Sequence, residues 1–175
     1  MGEENINKQV LIVEDNAICR GNIRRAIQKT YRVIDVETKH QCFQYLEKDK
    51  IDLILLDITL PDNTGLHIIR DILKQYPWIP IIVITEDEDP DNAAEMIKLG
   101  AKDYIRKSKF FKNIDILNYK MERVFETERY KSICEAREHE INHLNRKSYL
   151  PTTEEYKNTY LYAEVALKGQ LSLLI

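Results

Sequence analysis

Short apolar runs recur along the first two thirds of the chain, separated by segments whose apolar residues return every three or four positions. Segments at residues 9–14, 31–36, 51–57, 80–85 and 102–106 read as strands; Val10–Val13, Leu53–Leu56 and Ile81–Ile84 are unbroken apolar runs that suit a strand buried on both faces. The segments between them read as helices. The first has Ile18, Ile23, Ala26 and Ile27 on one face, with Asn16 placed to cap it. The second begins at Thr38 and carries Cys42, Phe43 and Leu46. The third follows Gly65, with Leu66, Ile69, Ile72 and Leu73. The fourth opens on Asp89-Pro90, a capping residue followed by proline in the first turn. It carries Ala93, Met96 and Ile97, and Gly100 closes it. Strands alternating with helices in this way predict an α/β fold, a doubly wound parallel sheet with helices on both faces. The right-handed rule for crossovers leaves few topologies.

A different pattern begins near Phe110. Residues 112–147 contain neither glycine nor proline and are rich in Glu, Lys and Arg. Ile114, Leu117, Met121, Val124 and Phe125 form one apolar stripe. Ile133, Cys134, Ile141 and Leu144 form a second, with Glu128 and Lys131 between. The expectation is one long helix whose first half packs on the domain and whose second half projects or meets a partner. Pro151 ends it. Thr152-Thr153-Glu154-Glu155 offers a capping box for a second helix bearing Tyr156, Tyr160, Ala163 and Leu167, which Gly169 stops. The apolar ending Leu171-Ser172-Leu173-Leu174-Ile175 suggests a chain cut from something longer or buried in an oligomer. The expected division is a domain over residues 1–120 and a helical extension over 121–175.

Composition narrows the function classes. The 175 residues suffice for one domain and an appendage, and 43% hydrophobic content can fill a core. A net charge of −3 gives no reason to expect nucleic-acid binding. Cys19, Cys42 and Cys134 are widely spaced, which suits free thiols in a reducing, cytoplasmic setting. The polar start argues against a signal peptide, and no apolar stretch approaches the ~20 residues that span a bilayer.

The chemistry gathers at strand ends. Val10-Leu11-Ile12-Val13 runs into Glu14-Asp15, and Leu53-Ile54-Leu55-Leu56 runs into Asp57. Open α/β sheets carry their sites at the carboxyl edge. Like charges there repel by roughly 4 kcal/mol per close pair at an effective dielectric near 20. Three carboxylates therefore imply a hard divalent cation such as Mg²⁺ or Mn²⁺. Thr85 ends the Ile81-Ile82-Val83-Ile84 run and can hydrogen-bond a phosphoryl oxygen. Lys107 follows the fifth run and can bring a compact positive charge. Asp57 is the candidate nucleophile, since aspartyl phosphate is an established covalent intermediate.

Four segments together resemble the response-regulator receiver domain of two-component signalling. They are V-L-I-V-E-D-N at 10–16, D-L-I-L-L-D-I-T-L-P-D-N-T-G at 52–65, I-I-V-I-T at 81–85 and G-A-K-D-Y-I-R-K at 100–107. They stand in the family's order and spacing over roughly residues 8–120. The resemblance implies a flavodoxin-like sheet of order 2-1-3-4-5, as in chemotaxis receivers. It implies that Asp57 accepts a phosphoryl group from a histidine kinase or phosphotransfer protein. Glu14, Asp15, Asp57 and the backbone carbonyl of Thr59 would hold Mg²⁺ or Mn²⁺, and Thr85 and Lys107 would bind the phosphoryl group. Tyr104 matches the aromatic that changes rotamer when the threonine moves. Switching would alter the face made by the fourth helix, the fifth strand and the helix after it. Such a domain phosphorylates and dephosphorylates itself without being a metabolic enzyme.

The chain departs from the family at three positions. Glu14 is one methylene longer than aspartate, and the family tolerates either acid. Leu60 stands where methionine is frequent. Ser108 replaces the proline that usually follows the lysine, where the peptide bond is commonly cis. A cis bond before a non-proline residue costs ~2.5–4 kcal/mol. Either the loop carries that cost or Lys107 is presented differently. Two further readings stay open: homodimerisation through the C-terminal helices, or a binding module whose tail is only a cap. A remote alternative is a zinc peptidase, because His139-Glu140-Ile141-Asn142-His143 reads H-E-x-x-H, with Glu164 as a conceivable third ligand. Asp62 and the stretch Glu86–Asp89 are expected to be mostly solvated rim and loop residues.

Overall fold

The computed structural model describes residues 7–64, 66–86 and 90–146. Gly65, the expected cap at Asp89, and every expectation beyond residue 146 lie outside the described residues. Elements follow in the order β1 (Gln9–Val13), α1 (Ala17–Ile27), β2 (Arg32–Val36), α2 (Lys39–Lys48), β3 (Leu53–Leu56), β4 (Thr59–Leu60), β5 (Asn63–Thr64), α3 (His67–Gln75), β6 (Ile81–Thr85), α4 (Pro90–Lys98), β7 (Asp103–Arg106), α5 (Lys107–Lys112) and α6 (Asp115–Arg146). The main sheet is ordered β2-β1-β3-β6-β7, and all four pairings are parallel. With the antiparallel β4–β5 hairpin set apart, its strands run 2-1-3-4-5 in order of occurrence. That is the expected flavodoxin-like topology.

Period-two alternation divides the inner strands between two cores. Leu11, Val13, Ile54, Leu56, Ile81 and Val83 face a core closed by Cys42, Leu46, Ile68, Ile69, Ile72 and Met96. Val10, Ile12, Leu53, Leu55, Ile82 and Ile84 face another, closed by Cys19, Ile23, Ile27, Phe110, Leu117 and Met121. Every residue of β3 is buried, and burial of each such side chain contributes roughly 1.5–3 kcal/mol. The helix signals act as the sequence predicts at two caps. Asn16 accepts from the amides of Ile18 and Cys19, and Thr38 from that of Gln41. Gly100 closes α4 at φ +108°, where a Cβ would lie 2.6 Å from Leu73 Cδ1.

Four expectations are corrected. Ile18 is 75% exposed, and Cys19 takes its place on the buried face of α1. Once Asn16 fixes the first turn, the i, i+4, i+8 series Cys19–Ile23–Ile27 is the one that meets the sheet. On α4, Ile97 is likewise exposed while Met96 is buried. The long helix does not run on from Phe110. The short α5 comes first, and the Asn113 side chain then accepts from the Asp115 amide at 3.0 Å to start α6. Asn113 thus acts as a capping residue where only helical composition was evident. Leu117, Met121 and Val124 pack as expected, but Ile114 is exposed.

The chain divides into two units, residues 1–128 and 129–175. In the second, Lys131 and Glu135 form an i, i+4 pair at 3.9 Å, and Tyr130 and Ile133 are exposed. Among the described residues, no helix is long and apolar enough to cross a membrane.

Candidate functional site

Strand register brings the acids together. Val13 pairs with Leu56, so Glu14 and Asp57 are the next residues beyond one shared rung. The Asp57 amide donates to the Val13 carbonyl at 2.8 Å, and the Glu14 amide to the Val36 carbonyl at 3.0 Å. Three of the parallel strands thus clamp the two acidic positions at one sheet edge. On the far side Thr85 pairs with Arg106, which carries Lys107 to the same edge.

The lysine lies between the two buried carboxylates. Its Nζ donates to Asp57 Oδ2 at 2.6 Å and to Glu14 Oε1 at 3.0 Å. Asp57 Oδ1 accepts from the Thr59 amide at 3.0 Å. Glu14 is 1% exposed, Asp57 3% and Lys107 6%; Thr85 is buried and Asp15 is exposed at the rim. One carboxylate oxygen from each of Glu14, Asp15 and Asp57 falls within a 4.8 Å cluster. The sequence-derived acids and the lysine therefore meet in one cluster at the sheet edge. Lys107 is presented from the first turn of α5, with no cis peptide bond among the described residues. The loop thus avoids the cost raised by Ser108. Tyr104 pairs with Val83, is half-buried, and packs on the same core as that valine. Leu60 is buried, as a packing residue should be.

Burial pushes the Glu14 carboxyl above its ordinary value, although hydrogen bonds from Lys107 and Cys19 pull the other way. Burial also acts on Lys107, but there the carboxylates of Asp57 and Glu14 win and hold the ammonium protonated. Cys19 is pushed up to about 12 by burial and by its bond to Glu14, so it is an inert thiol donor and not a nucleophile.

The donor set fits a hard divalent cation. It is all oxygen. Glu14 Oε2 is buried without a hydrogen bond, although it lies 2.9 Å from Lys107 Nζ. Three carboxylates share the single Lys107 ammonium, and a cation among them would offset the negative charge that remains. His139 and His143 belong to no comparable cluster among the described residues, and both are exposed on α6.

Two residues escaped the sequence reading. Asp62, expected to be solvated, accepts from the amides of Lys39 and His40 at 2.9 and 3.0 Å. It thereby caps α2 from the β4–β5 hairpin. Burial would raise its carboxyl, but the His40 and Lys39 amides outweigh that and lower it. Arg20 stands one turn into α1, and its guanidinium reaches the carbonyls of both Glu14 and Asp15. An arginine five residues after an acidic pair, on a helix whose cap is already known, was the available signal.

The family model of the response regulator receiver domain matches residues 10–118, and the chain belongs to that family. It is 35% identical over 100 residues to the virulence transcriptional regulatory protein PhoP of Shigella flexneri, covering 57% of this chain and 45% of that protein. It is 30% identical over 107 residues to the transcriptional regulatory protein DegU of Brevibacillus brevis, covering 59% and 45%. The matches thus span about half the length of these curated relatives. Among solved structures, it resembles the signal receiver domain of a putative LuxO repressor protein from Vibrio parahaemolyticus. The TM-score is 0.67 at 26% identity, over 74% of this chain and 98% of that one. The fold also matches a Thermotoga maritima response regulator, TrrA, in complex with Mg²⁺ and beryllofluoride. The TM-score there is 0.59 at 24% identity, over 67% and 98% of the chains.

Proposed function

We propose that this receiver takes a phosphoryl group onto Asp57 from a histidine kinase or phosphotransfer protein, in a step that depends on Mg²⁺ or Mn²⁺. The observation that carries the reading is the Asp57 carboxylate held 2.6 Å from Lys107, beside Glu14 and Asp15. Glu14, Asp15, Asp57 and the Thr59 carbonyl would hold the cation, which would offset the charge of the phosphoryl oxygens. An Asp57 oxygen attacks the phosphorus of phosphohistidine. The P–N bond breaks, the imidazole leaves and takes up a proton, and an acyl phosphate forms. Lys107 neutralises an oxygen of the transferred group, and Thr85 donates its hydroxyl to another.

Phosphorylation then shifts a two-state equilibrium. Thr85 follows its new partner, and Tyr104 on the neighbouring strand changes rotamer. The face of α4, β7 and the first turns of α6 presents the result. Residues 1–120 act as the phosphoacceptor module, and residues 121–175 act as a C-terminal extension that pairs two copies. The setting is cytoplasmic, and this chain makes no direct nucleic-acid contact.

Acetyl phosphate or beryllofluoride with Mg²⁺ should move the backbone amide resonances of Thr85 and Tyr104, and Asp57→Asn should abolish the response. Persistence of the shifts in that variant would overturn the assignment. Sedimentation should show more dimer with beryllofluoride, and an unchanged monomer in both states would remove the dimerisation part.

A further inference from the structure

Glu14 and Asp15 are adjacent like charges asked to converge on one cation, so the peptide between them must be held against their repulsion. Their carbonyls lie beyond Val13, the last residue of β1, and the ladder leaves them without strand partners. Arg20 supplies the missing donors. Its Nη1 donates to the Glu14 carbonyl at 2.7 Å and to the Asp15 carbonyl at 3.0 Å. The other side of the guanidinium is tied to the neighbouring strand and loop. Nη2 donates to Glu37 Oε1 at 2.5 Å, and Nε lies 3.3 Å from Asp35 Oδ2. The side chain is 13% exposed. With the Glu14 amide already bonded to Val36, both backbone polar groups of Glu14 are anchored to the β2 side.

We infer that Arg20 is a positioning residue for divalent-cation binding: it fixes the peptide bearing the Glu14–Asp15 pair by bridging its two carbonyls to Asp35 and Glu37. The inference rests on the cation-dependent reading above and goes beyond it by naming what holds the ligands. It also requires arginine. A planar fork with five donors spans two carbonyls and two carboxylates, whereas a lysine ammonium at the end of its stem reaches at most one side.

Arg24 provides a matched control. It lies one turn further along α1 and pairs with the same Asp35, donating also to the Val33 carbonyl, but touches neither carbonyl of the acidic pair. The experiment is titration calorimetry of the full-length chain with MnCl₂, with foldedness checked by circular dichroism. Arg20→Gln should weaken Mn²⁺ binding roughly 10–100-fold, the usual effect of losing a residue that orients metal ligands. Arg20→Lys, which keeps the charge and most of the stem, should also weaken it. Arg24→Gln should lose stability and bind Mn²⁺ as the wild type does. Wild-type affinity in Arg20→Gln overturns the inference, as does equal weakening in Arg24→Gln, which would mean general loosening of α1. If Arg20→Gln does not fold, Arg20→Lys decides by the same two outcomes. A wild-type chain that binds no Mn²⁺ sinks the cation-dependent function itself, a result distinct from either.

Discussion

Replacing Lys107 by methionine removes the ammonium while keeping the length of the side chain, and tests how the site balances its charge. In the wild type one cation stands between two carboxylates, at 2.6 Å from Asp57 and 3.0 Å from Glu14. Breaking a buried pair by removing one partner typically costs about 3–5 kcal/mol. The pocket has a cheaper route, because Glu14 is already pushed above its ordinary 4.5 by burial. Taking up a proton there at pH 7 costs less than about 3.4 kcal/mol, the cost for a carboxyl at that ordinary value. Protonation therefore sets the ceiling, and Lys107→Met should lose about 2–3 kcal/mol at pH 7 without divalent cations. Each pH unit removed relieves up to about 1.4 kcal/mol of the loss, since one proton is bound in the folded state and not in the unfolded. Urea denaturation at pH 5.5, 6.5 and 7.5 measures this directly. A deficit that does not change with pH, or no deficit at pH 7.5, refutes the view that Lys107 compensates the two buried acids.

In the wild type, the raised Glu14 carboxyl stabilises the fold fully below 4.5, and that contribution fades as pH rises through its folded value. Cation-free protein should thus gain stability on mild acidification, and Glu14→Gln should flatten that part of the urea profile. Asp62→Ala removes the acceptor for the first amides of α2 and should cost about 1 kcal/mol at neutral pH. Because Asp62 titrates below 3.8, that loss should persist at pH 5 and vanish only as pH falls through its folded value, again by urea midpoint. Gly100→Ala combines a positive φ with a Cβ 2.6 Å from Leu73 Cδ1. It should lower stability by about 1–3 kcal/mol, and an unchanged thermal midpoint would contradict the strain.

The centre of the sheet was readable because β1, β3 and β6 are buried on both faces, so each announces itself as an apolar run ending at a polar site residue; the edge strands β2 and β7 carry Asp35, Arg32, Asp103 and Arg106 and announce themselves less clearly. The acidic cluster followed from the same runs, since Glu14 and Asp57 are simply the first residues past a shared rung. What resisted reading depended on contacts made across the chain. Asp62 looks like any loop acid until the hairpin carries it to the amides of α2, 22–23 residues earlier in sequence. Arg20 looks like a solvated helix residue until β2 brings Asp35 and Glu37 alongside. The break between α5 and α6 was missed because Asn113 is unremarkable in composition and decisive only as a cap. Ile18 misled for the opposite reason: it is strongly apolar but turned out of phase by the cap at Asn16.

Four side chains of β3 alternate between the two cores, Ile54 and Leu56 to one and Leu53 and Leu55 to the other. A strand gripped from above and below is an anvil: it can neither slide by a residue, which would exchange the two sets, nor tilt without opening a void. A blow delivered at its tip cannot be absorbed along its length. On the proposed reading, a group transferred to Asp57 would be accommodated by neighbours outside β3, and the rigid centre would direct the change toward the surface.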